Sequence, residues 1–564
     1  MAINFSKHSI LILAAILILG FFLRFFMLGS NPPSLNWDEA STGYNAYSIL
    51  KTAKDEYGNF LPLSIRSFDD YKPPLYTYID VPFVAIFGLT EVAVRLPSAV
   101  LGSLTIVLMY FLFRELCFDN KDNESFIYKF RNEIPILGAF LFAISPWSLQ
   151  FSRAAYEGNI GLFFLTGGLL FFLKAVNKKP WYLLVSGLFL VSSMYSYHSF
   201  RLVTPLLVIV AFLIYYQQLL KFKAITLLAG VILVILCVPI FTSFLFSGTG
   251  SGSRLAMVTV FGSSPNLDHS IKQLEIDKMQ HDVLGTILHN RRLVYFFAVA
   301  KGYLDHYNPD FLFLHGDGGR QHHAADMGMM YFFELPAIFI GAILLFSRRL
   351  GKKNLLFAFF MFLAPFPSAI TTGTPHPVRA IAMLPGFIFL SSLGLLYLFT
   401  TFSKMKHGFF GLSLKYITLS LFSITLVLNV TYYFHQYYVH TPIEYGDFWQ
   451  YGNKDAIVYA KENEDKYKQI IISYEYDQPY VYYLFYNKID PAWYQRNWNF
   501  TGTSEMPRFE RRVGKYVFKK INWNEDSKIK NALIIGAPNE VPEDKSIKII
   551  RFLNGEVAYR IANT

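Results

Sequence analysis

The sequence predicts a polytopic α-helical membrane protein with a small soluble domain at its C-terminus, on the basis of three observations. Hydrophobic residues make up 53% of the 564 residues, and the mean hydropathy is +0.32. Apolar windows of about 17 to 24 residues recur along the chain, each long enough to cross the hydrocarbon core of a bilayer. After about Tyr432 the chain becomes charged and Tyr-rich over a length that suits one small domain.

Charge and cysteine content exclude two other classes of protein. The net charge of +11 comes from short basic clusters between the apolar windows, where basic residues set topology and contact anionic membrane lipids, so we expect no nucleic-acid binding. The two cysteines, Cys117 and Cys237, lie at the end of one apolar run and inside another. This placement excludes a disulfide framework and a thiolate metal site.

The first apolar stretch, Ile10 to Leu28, contains Arg24 and lacks a small-residue cleavage site, so we expect a retained helix rather than a signal peptide. The predicted spans lie near residues 9–28, 95–115, 134–150, 159–175, 181–198, 202–220, 224–246, 330–347, 354–371, 380–400 and 411–431.

Alternate loops between these windows are basic, as the positive-inside rule requires if Lys7 lies in the cytoplasm. Their basic residues are Arg114, Lys121, Lys129 and Arg131; Lys174, Lys178 and Lys179; Lys221 and Lys223; Arg348, Arg349, Lys352 and Lys353; Lys404 and Lys406. The pattern predicts about eleven transmembrane helices in the cytoplasmic membrane, with the N-terminus inside and the C-terminus outside.

The apolar stretch from Leu75 to Leu89 is too short to span a bilayer and contains Asp80 and Pro82, which suits an interfacial or re-entrant helix. The chain then divides into a membrane domain, residues 1–431, and an external domain, residues 432–564. The membrane domain carries two long external loops, residues 29–95 and 247–330.

The external domain is expected to have an α/β or α+β fold. The pattern of residues predicts strands over Gln469–Tyr474 and Ala532–Ile535, a helix over Asp455–Tyr467, and a terminal hairpin over Ile547–Ile561 that turns at Asn554-Gly555.

The first external loop contains Asp38-Glu39, Asp69-Asp70 and Lys72. Asp38 is either the N-cap of a helix over Glu39–Lys54 or a general base that deprotonates a hydroxyl, and the two roles are compatible. Lys72, which precedes two prolines, either extends its charge to the membrane surface or neutralises a phosphate. Asp69 and Asp70 either orient Lys72 or bind a cation, which two neighbouring acids indicate only weakly.

Arginine and histidine recur at the external ends of later spans, where each side chain is either an interfacial anchor or a ligand of a lipid phosphate. These residues are Arg153 with Glu157, His198 with Arg201, and His376 with Arg379. The loop at residues 306–326 is rich in histidine and aspartate and contains Asp317 and Arg320. Its spacing matches no strong metal-ligand pattern, so a glycine-turn loop over a cavity is favoured, and a divalent metal is the alternative.

The opening loop resembles the first external module of GT-C glycosyltransferases, and within them the protein O-mannosyltransferase and aminoarabinose-transferase group. The residues that carry the resemblance are Trp37-Asp38-Glu39-Ala40, Asp69-Asp70-Tyr71-Lys72-Pro73-Pro74-Leu75-Tyr76 and Arg95-Leu96-Pro97-Ser98-Ala99; looser matches are Ser152-Arg153, Phe311-Leu312-Phe313 with Gly316-Asp317 and Arg320, and His376 to Arg379 before Leu384-Pro385.

The resemblance implies a GT-C fold, a sugar donor carried on polyprenyl phosphate, an external active site and inversion at the anomeric carbon. By position, Asp38 matches the catalytic acidic residue, Glu39 its supporting neighbour and Lys72 the lysine that contacts the phosphate. Ala-Ser-Thr-Gly-Tyr-Asn follows Asp38-Glu39 and lacks the arginine of aminoarabinose transferases, which argues against lipid A modification.

The predicted reaction is direct displacement by an acceptor hydroxyl of a protein, lipid or glycan, with Asp38 as the base. Lys72, with one or more of Arg95, Arg201 and Arg379, is expected to stabilise the lipid phosphate. We expect no cofactor beyond the possible divalent metal. A secondary transporter, a flippase, a ligase and a lipid-binding module are the alternatives, but no internal repeat is visible and the charges gather at helix ends.

Overall fold

A computed structural model of the protein describes residues 7–68, 70–118, 125–177, 179–246, 258–262, 265–347, 350–404, 414–497, 499–500 and 510–564. Some residues given a role above lie outside the described residues: Asp69, Lys121, Lys178, Arg348, Arg349, Lys406 and part of the loop at 247–330.

Helices dominate the chain up to residue 445. They are α1 (Lys7–Phe25), α2 (Trp37–Thr52), α3 (Leu75–Phe87), α4 (Glu91–Cys117), α5 (Phe126–Lys129), α6 (Glu133–Ile144), α7 (Pro146–Ser152), α8 (Glu157–Asn177), α9 (Tyr182–Ser196), α10 (Phe200–Lys221), α11 (Lys223–Phe246), α12 (Pro265–Met279), α13 (Val283–Leu288), α14 (Arg291–Asp305), α15 (Glu334–Phe346), α16 (Lys352–Leu363), α17 (Phe366–Ala369), α18 (Leu384–Ser403), α19 (Leu414–His435) and α20 (Thr441–Glu444). Short π-helical turns occupy Asp310–Leu314 and Gln436–His440, and a 3₁₀ turn occupies Ile381–Met383.

Within the described residues, six helices are long and apolar enough to cross a membrane, and the bent pair α6 and α7 raises the number to seven. The chain is therefore a multi-pass membrane protein. A proline accounts for part of the difference from the predicted spans, because Pro365 lies between α16 and α17, at the N-cap of α17, within the predicted span 354–371. The number of eleven spans and their orientation stay predictions.

The chain divides into two compact units. The first, here called the bundle unit, comprises Met1–Leu23, Leu101–Phe151 and Gly158–Tyr433; the second, here called the mixed unit, comprises Arg24–Val100, Ser152–Glu157 and Phe434–Thr564. The mixed unit thus takes in the opening loop together with the tail. The division of the chain at residue 431 stays a prediction.

Close helix packing in the bundle unit depends on glycine. A Cβ atom at Gly341 on α15 would lie 2.0 Å from the Leu390 carbonyl oxygen of α18, and one at Gly394 would lie 1.9 Å from the Ala337 carbonyl oxygen. Only glycine permits this approach, which is the packing that membrane helices use where apolar burial gives little driving force.

The mixed unit is built around two sheets. A two-stranded antiparallel sheet joins β1 (Ile65–Ser67) and β2 (Asp70–Lys72). The larger sheet has the order β4-β5-β6-β3-β7-β9-β8, in which β3 runs parallel to β6 and β7 while the other neighbours are antiparallel. Its strands are β3 (Gln469–Ser473), β4 (Asn499–Phe500), β5 (Glu510–Val513), β6 (Tyr516–Lys519), β7 (Ala532–Gly536), β8 (Lys548–Arg551) and β9 (Val557–Asn563).

Four short helices and two 3₁₀ turns accompany the larger sheet. They are α21 (Asn453–Glu462), α22 (Pro479–Tyr486), α23 (Pro491–Asn497) and α24 (Trp523–Asp526), with 3₁₀ turns at Glu464–Lys466 and Glu543–Lys545. Buried side chains of β3, β6, β7 and β9 form one hydrophobic cluster; its members include Ile471, Val517, Ile534 and Ala562.

Three of the four predicted elements of the tail are confirmed. The strand over Gln469–Tyr474 is β3, the strand over Ala532–Ile535 is β7, and β8 and β9 form the terminal hairpin. The predicted helix over Asp455–Tyr467 is split into α21 and the turn at Glu464–Lys466. The apolar stretch after Lys72 forms α3, and its place at the membrane surface stays a prediction.

Candidate active site

The start of α2 leaves Asp38 available for contacts outside its own helix. The N-cap is Asn36, whose Oδ1 accepts a hydrogen bond from the Glu39 N–H at 2.9 Å, while Glu39 Oε2 accepts one from the Asn36 N–H at 3.1 Å. This reciprocal pair is a capping box. The prediction that Asp38 caps the helix is therefore wrong, and the Asp38 side chain remains 53% exposed.

Lys72 is positioned by the small sheet and by the prolines that follow it. It is the last residue of β2, where it faces Ile65, and a hydrogen bond between the Ser41 and Ser67 hydroxyls joins α2 to β1. The Lys72 Nζ atom lies 2.5 Å from Asp38 Oδ1, and only 7% of the Lys72 side chain is exposed. The structure thus places Asp38, the predicted base, beside Lys72, the predicted phosphate contact, although 34 positions separate them in sequence.

Glu39 and Arg95 form a buried pair behind this site. Arg95 Nε donates to Glu39 Oε1 at 2.9 Å, and Nη2 donates to Glu39 Oε2 at 3.1 Å. The other guanidinium hydrogens go to the backbone carbonyls of Leu28, Pro32 and Ser34. Since a guanidinium has five N–H groups and Arg95 is fully buried, this geometry leaves no donor for a lipid phosphate.

Glu39 accepts a further hydrogen bond besides the two from Arg95. Its Oε1 also takes a hydrogen bond from the Ala155 N–H at 2.9 Å, so one carboxylate ties α2 to Arg95 and to residues 152–157. Glu39 therefore fits the supporting role that the resemblance implies rather than contact with a reacting group. The role in phosphate binding that was predicted for Arg95 finds no support in this network.

Arg153 lies in the same buried layer and holds the chain before α2. Its Nε donates to the Tyr437 hydroxyl at 2.9 Å, its Nη2 donates to the Asn31 carbonyl at 3.0 Å, and its guanidinium faces the Tyr437 and Tyr438 rings. Arg153 is 1% exposed, which argues for support rather than ligand binding. Glu157 is half-buried at the first position of α8.

Glu56 is a buried acid that the sequence does not reveal as a site residue. Both of its carboxyl oxygens are buried and accept no hydrogen bond from the described residues. Burial raises the pKa of Glu56 to about 7, the Arg511 guanidinium opposes the rise, and Asp55 adds to it. In sequence, Lys54-Asp55-Glu56-Tyr57 looks like an ordinary solvated turn, so no pattern points to this burial.

In the bundle unit, three predicted ligands of the lipid phosphate line one cavity of about 300 Å³. They are His198, Arg201 and Arg379, and most of the other lining residues are apolar. Arg201 Nη1 lies 3.3 Å from His198 Nδ1, and Arg379 Nη1 donates to the Thr371 hydroxyl at 2.7 Å. The cavity is cationic at these side chains and apolar elsewhere.

Two apolar cavities lie next to this one, lined mainly by α9, α10 and α11. The first, of about 350 Å³, shares Met194 and Phe241 with the cationic cavity; the second, of about 180 Å³, shares Leu190, Val208 and Leu233 with the first. Because consecutive cavities share lining residues, they lie side by side, and we call the row of three the α10 groove.

Asp317 and His376 belong to a separate cluster of the bundle unit. Asp317 Oδ2 lies 2.8 Å from His322 Nδ1, and the His322 ring lies 5.0 Å from the His376 ring. The His376 N–H donates to His306 Nε2 at 3.1 Å. Arg320 is exposed in the same loop.

His306 is held in its neutral form. Its Nδ1 lies 2.7 Å from the Gly302 carbonyl and must donate to it, so Nε2 is the acceptor of the His376 N–H bond. Burial lowers the pKa of His306 to about 4. Among the described residues, no three His, Cys, Asp or Glu side chains converge as metal ligands would.

Comparison with known proteins gives the same picture of the fold. Residues 71–242 match the family model of dolichyl-phosphate-mannose-protein mannosyltransferase. A comparison of the sequence with curated proteins gave no match.

Among solved structures, ArnT from Cupriavidus metallidurans matches in the apo state with a TM-score of 0.51 at 12% identity, covering 98% of both chains. ArnT bound to undecaprenyl phosphate matches with the same score and identity over 99% of this chain and 98% of that chain. The archaeal oligosaccharyltransferase AglB from Archaeoglobus fulgidus has a TM-score of 0.46 at 13% identity, and the match spans 64% of its length. The protein thus has the GT-C fold of ArnT, and over residues 71–242 it is similar to the dolichyl-phosphate-mannose-protein mannosyltransferases.

Proposed function

We propose that the protein transfers a sugar from a polyprenyl-phosphate-linked donor to a hydroxyl group of an acceptor, on the external side of the cytoplasmic membrane and with inversion at the anomeric carbon. The observation that carries this proposal is the contact of 2.5 Å between Asp38 and Lys72. Sugar transfer from a lipid phosphate needs a carboxylate that takes a proton and a cation that receives the leaving phosphate, and this pair supplies both.

In the proposed reaction, Asp38 removes the proton of the acceptor hydroxyl as the hydroxyl oxygen attacks the anomeric carbon. The bond between the anomeric carbon and the phosphate oxygen breaks, and its electron pair leaves with the lipid phosphate. The Lys72 ammonium group, which is a compact point charge, binds this phosphate. Attack from the face opposite the leaving group inverts the configuration.

The contact between the two residues also suggests an order of events. Lys72 is almost fully buried, while half of the Asp38 side chain is exposed. A donor phosphate that approaches Lys72 competes with Asp38 for the ammonium group. Once the phosphate replaces it, the Asp38 carboxylate is free to accept the proton of the acceptor hydroxyl, so the donor should bind before the acceptor.

The chemistry of the α10 groove supports a lipid phosphate as the donor. An isoprenoid chain requires a long apolar surface, and its phosphate requires cations at one end. The groove has both, since the side chains of Arg201 and Arg379 lie at one end of an otherwise apolar surface. We therefore propose that this groove accepts an isoprenoid phosphate. The ArnT structure with undecaprenyl phosphate supports the same class of lipid.

Mass spectrometry of the cell envelope tests the proposal whichever sugar and acceptor the protein uses. A strain that lacks the gene should lose one sugar modification of an envelope protein, lipid or glycan. The wild-type gene should restore it, and the gene carrying Asp38→Asn should not, although the variant accumulates in the membrane to the same level. An envelope with the same sugars in all strains would contradict the proposal.

A further inference from the structure

Helix α2, which carries Asp38, is held at its first end by the C-terminal residues of the mixed unit. The single hydroxyl hydrogen of Tyr482 on α22 is shared between the Leu35 carbonyl at 3.2 Å, directly before the Asn36 cap, and Gln450 Oε1 at 3.3 Å. Tyr482 is fully buried. This bond lies three residues from Asp38 and fixes where the helix begins.

The other end of α2 is held by α23. The side-chain amide nitrogen of Gln495 lies 3.1 Å from the Ser48 hydroxyl, 3.0 Å from the Thr52 hydroxyl and 2.9 Å from the Asp55 carbonyl. An amide nitrogen has two hydrogens, so these three acceptors share them. The contact joins the last turn of α2 to the turn that follows it.

The middle of α2 lies against the same C-terminal helix as its start. A Cβ atom at Gly43 would lie 2.8 Å from Phe485 Cε2 and 2.4 Å from Val94 Cγ2, so only glycine allows this approach. The neighbouring Tyr44 hydroxyl donates to the Ile489 carbonyl at 3.1 Å. Contacts at the start, middle and end of a helix fix its rotation as well as its position.

We propose that residues 434–564 act as a positioning scaffold for the reaction, with Tyr482 and Gln495 as positioning residues that hold α2 so that Asp38 faces Lys72. This inference rests on the proposed function of Asp38. The rate of a displacement is sensitive to small errors in the placement of the attacking groups, and a shift of about 1 Å can reduce it on the order of 10²-fold. The hydrogen bonds of Tyr482 and Gln495 go to neither Asp38 nor Lys72. Their loss should therefore lower the rate of turnover, while the affinity for the donor stays the same or rises slightly as Asp38 loosens its contact with Lys72.

The sharpest test compares Tyr482→Phe with Tyr559→Phe in the full-length protein. Both variants remove one hydroxyl from a fully buried tyrosine, but the Tyr559 hydroxyl bonds to Asn453 at 2.8 Å and not to the chain before α2. We expect Tyr482→Phe to lower kcat about tenfold and to leave the KM for a polyprenyl-phosphate sugar within about twofold. Tyr559→Phe should leave both constants near wild type, while the thermal midpoints of the two variants should be similar.

Equal losses of kcat in both variants, or no loss in Tyr482→Phe, would overturn the proposal. A second readout is hydrogen–deuterium exchange of the backbone amides over residues 36–45, which does not depend on any substrate. Exchange should accelerate in Tyr482→Phe, and over residues 48–55 in Gln495→Met, but not in Tyr559→Phe. Unchanged exchange would overturn the scaffold proposal whatever the kinetic constants are. A wild-type protein that transfers no sugar would overturn the proposed function instead, and the exchange result would then decide the scaffold proposal.

Discussion

At the scale of single residues, the ion pair of Asp38 and Lys72 should lower the affinity for the donor. The lysine that should receive the phosphate already has an anionic partner at 2.5 Å. Any lipid phosphate that binds must displace this partner, and the energy of the displaced contact is subtracted from the affinity. Asp38 is half-exposed, so the contact is screened by water and its energy is modest.

Removing the charge of Asp38 should therefore strengthen lipid binding while it slows turnover. For Asp38→Asn we expect undecaprenyl phosphate to bind roughly two- to fivefold more tightly, because Lys72 no longer has a competing anion. Titration of the lipid into purified protein in nanodiscs measures this change. Asp544→Asn, which removes an exposed acid of the C-terminal region, should bind as wild type does. Weaker binding by Asp38→Asn would contradict the exchange of partners at Lys72.

The buried Glu56 makes stability depend on pH. Its pKa is raised from 4.5 to about 7 in the folded protein, so the unfolded chain loses the proton first as pH rises. The contribution of Glu56 to the free energy of unfolding is therefore largest below about pH 4.5. It falls as pH rises to about 7, by about 3 kcal/mol in total for a shift of this size.

Glu56→Gln should remove this dependence. Thermal unfolding of the two proteins in detergent, measured from pH 4.5 to 8, should give midpoints that diverge in favour of the variant as pH rises. Glu462→Gln, a change of an exposed acid, should follow wild type throughout. Parallel curves for Glu56→Gln and wild type would contradict the buried, neutral state of Glu56.

At the scale of elements, the sequence predicts helices and strands wherever a local pattern defines them. The helix predicted over Glu39–Lys54 is α2, displaced by two residues because Asn36 is the cap instead of Asp38. Both residue types are good caps, but only the spacing of Asn36 and Glu39 matches a capping box, and this spacing is visible in the sequence.

Contacts between residues far apart in sequence are not predicted by any local pattern of this kind. Arg95 resembles a phosphate ligand because it follows the opening loop, yet its partner Glu39 lies 56 residues earlier. Similarly, the aromatic run around Tyr482 suggests a core or a stacking surface, and nothing in it points to the Leu35 carbonyl 447 residues away. A local pattern cannot reveal contacts that form only when the chain closes on itself.

The α10 groove gives a prediction that depends on the length of the lipid. Val208 on α10 lines both apolar cavities of the groove, so Val208→Trp should fill the path of the chain. We expect the KM to rise about tenfold for a donor with a long isoprenoid chain, and to change little for a donor with two isoprene units, which ends before the obstruction. Steady-state kinetics with the two donors measures the difference.

The matched control for this prediction is Leu213→Trp. Leu213 lies on the same helix but is 65% exposed on its outer surface, so the same increase in volume stays outside the groove. Equal effects of Val208→Trp on long and short donors would contradict the assignment of the groove to the lipid chain.

At the scale of the whole molecule, the composition and charge pattern predict the class of protein but not how the chain divides into two compact units. The recurrence of apolar windows identifies a multi-pass membrane protein, and the change after Tyr432 marks the start of a sheet-containing region. That residues 24–100 and 152–157 belong to the same compact unit as the tail was not predictable, because the contacts that join them are long-range. This assembly places Asp38, Lys72 and Tyr482 within one unit.

Release of polyprenyl phosphate shows directly whether the protein moves a sugar from a lipid phosphate by means of Asp38 and Lys72. Purified wild-type protein, given a labelled polyprenyl-phosphate sugar and membranes of the deletion strain as acceptor, should release lipid phosphate in proportion to sugar transferred. Lys72→Ala and Asp38→Asn should each reduce the rate on the order of 10²-fold or more, whereas Lys454→Ala, which breaks an exposed ion pair with Glu91, should not. Wild-type rates in folded Asp38→Asn and Lys72→Ala, or a wild-type protein that releases no lipid phosphate, would contradict the account.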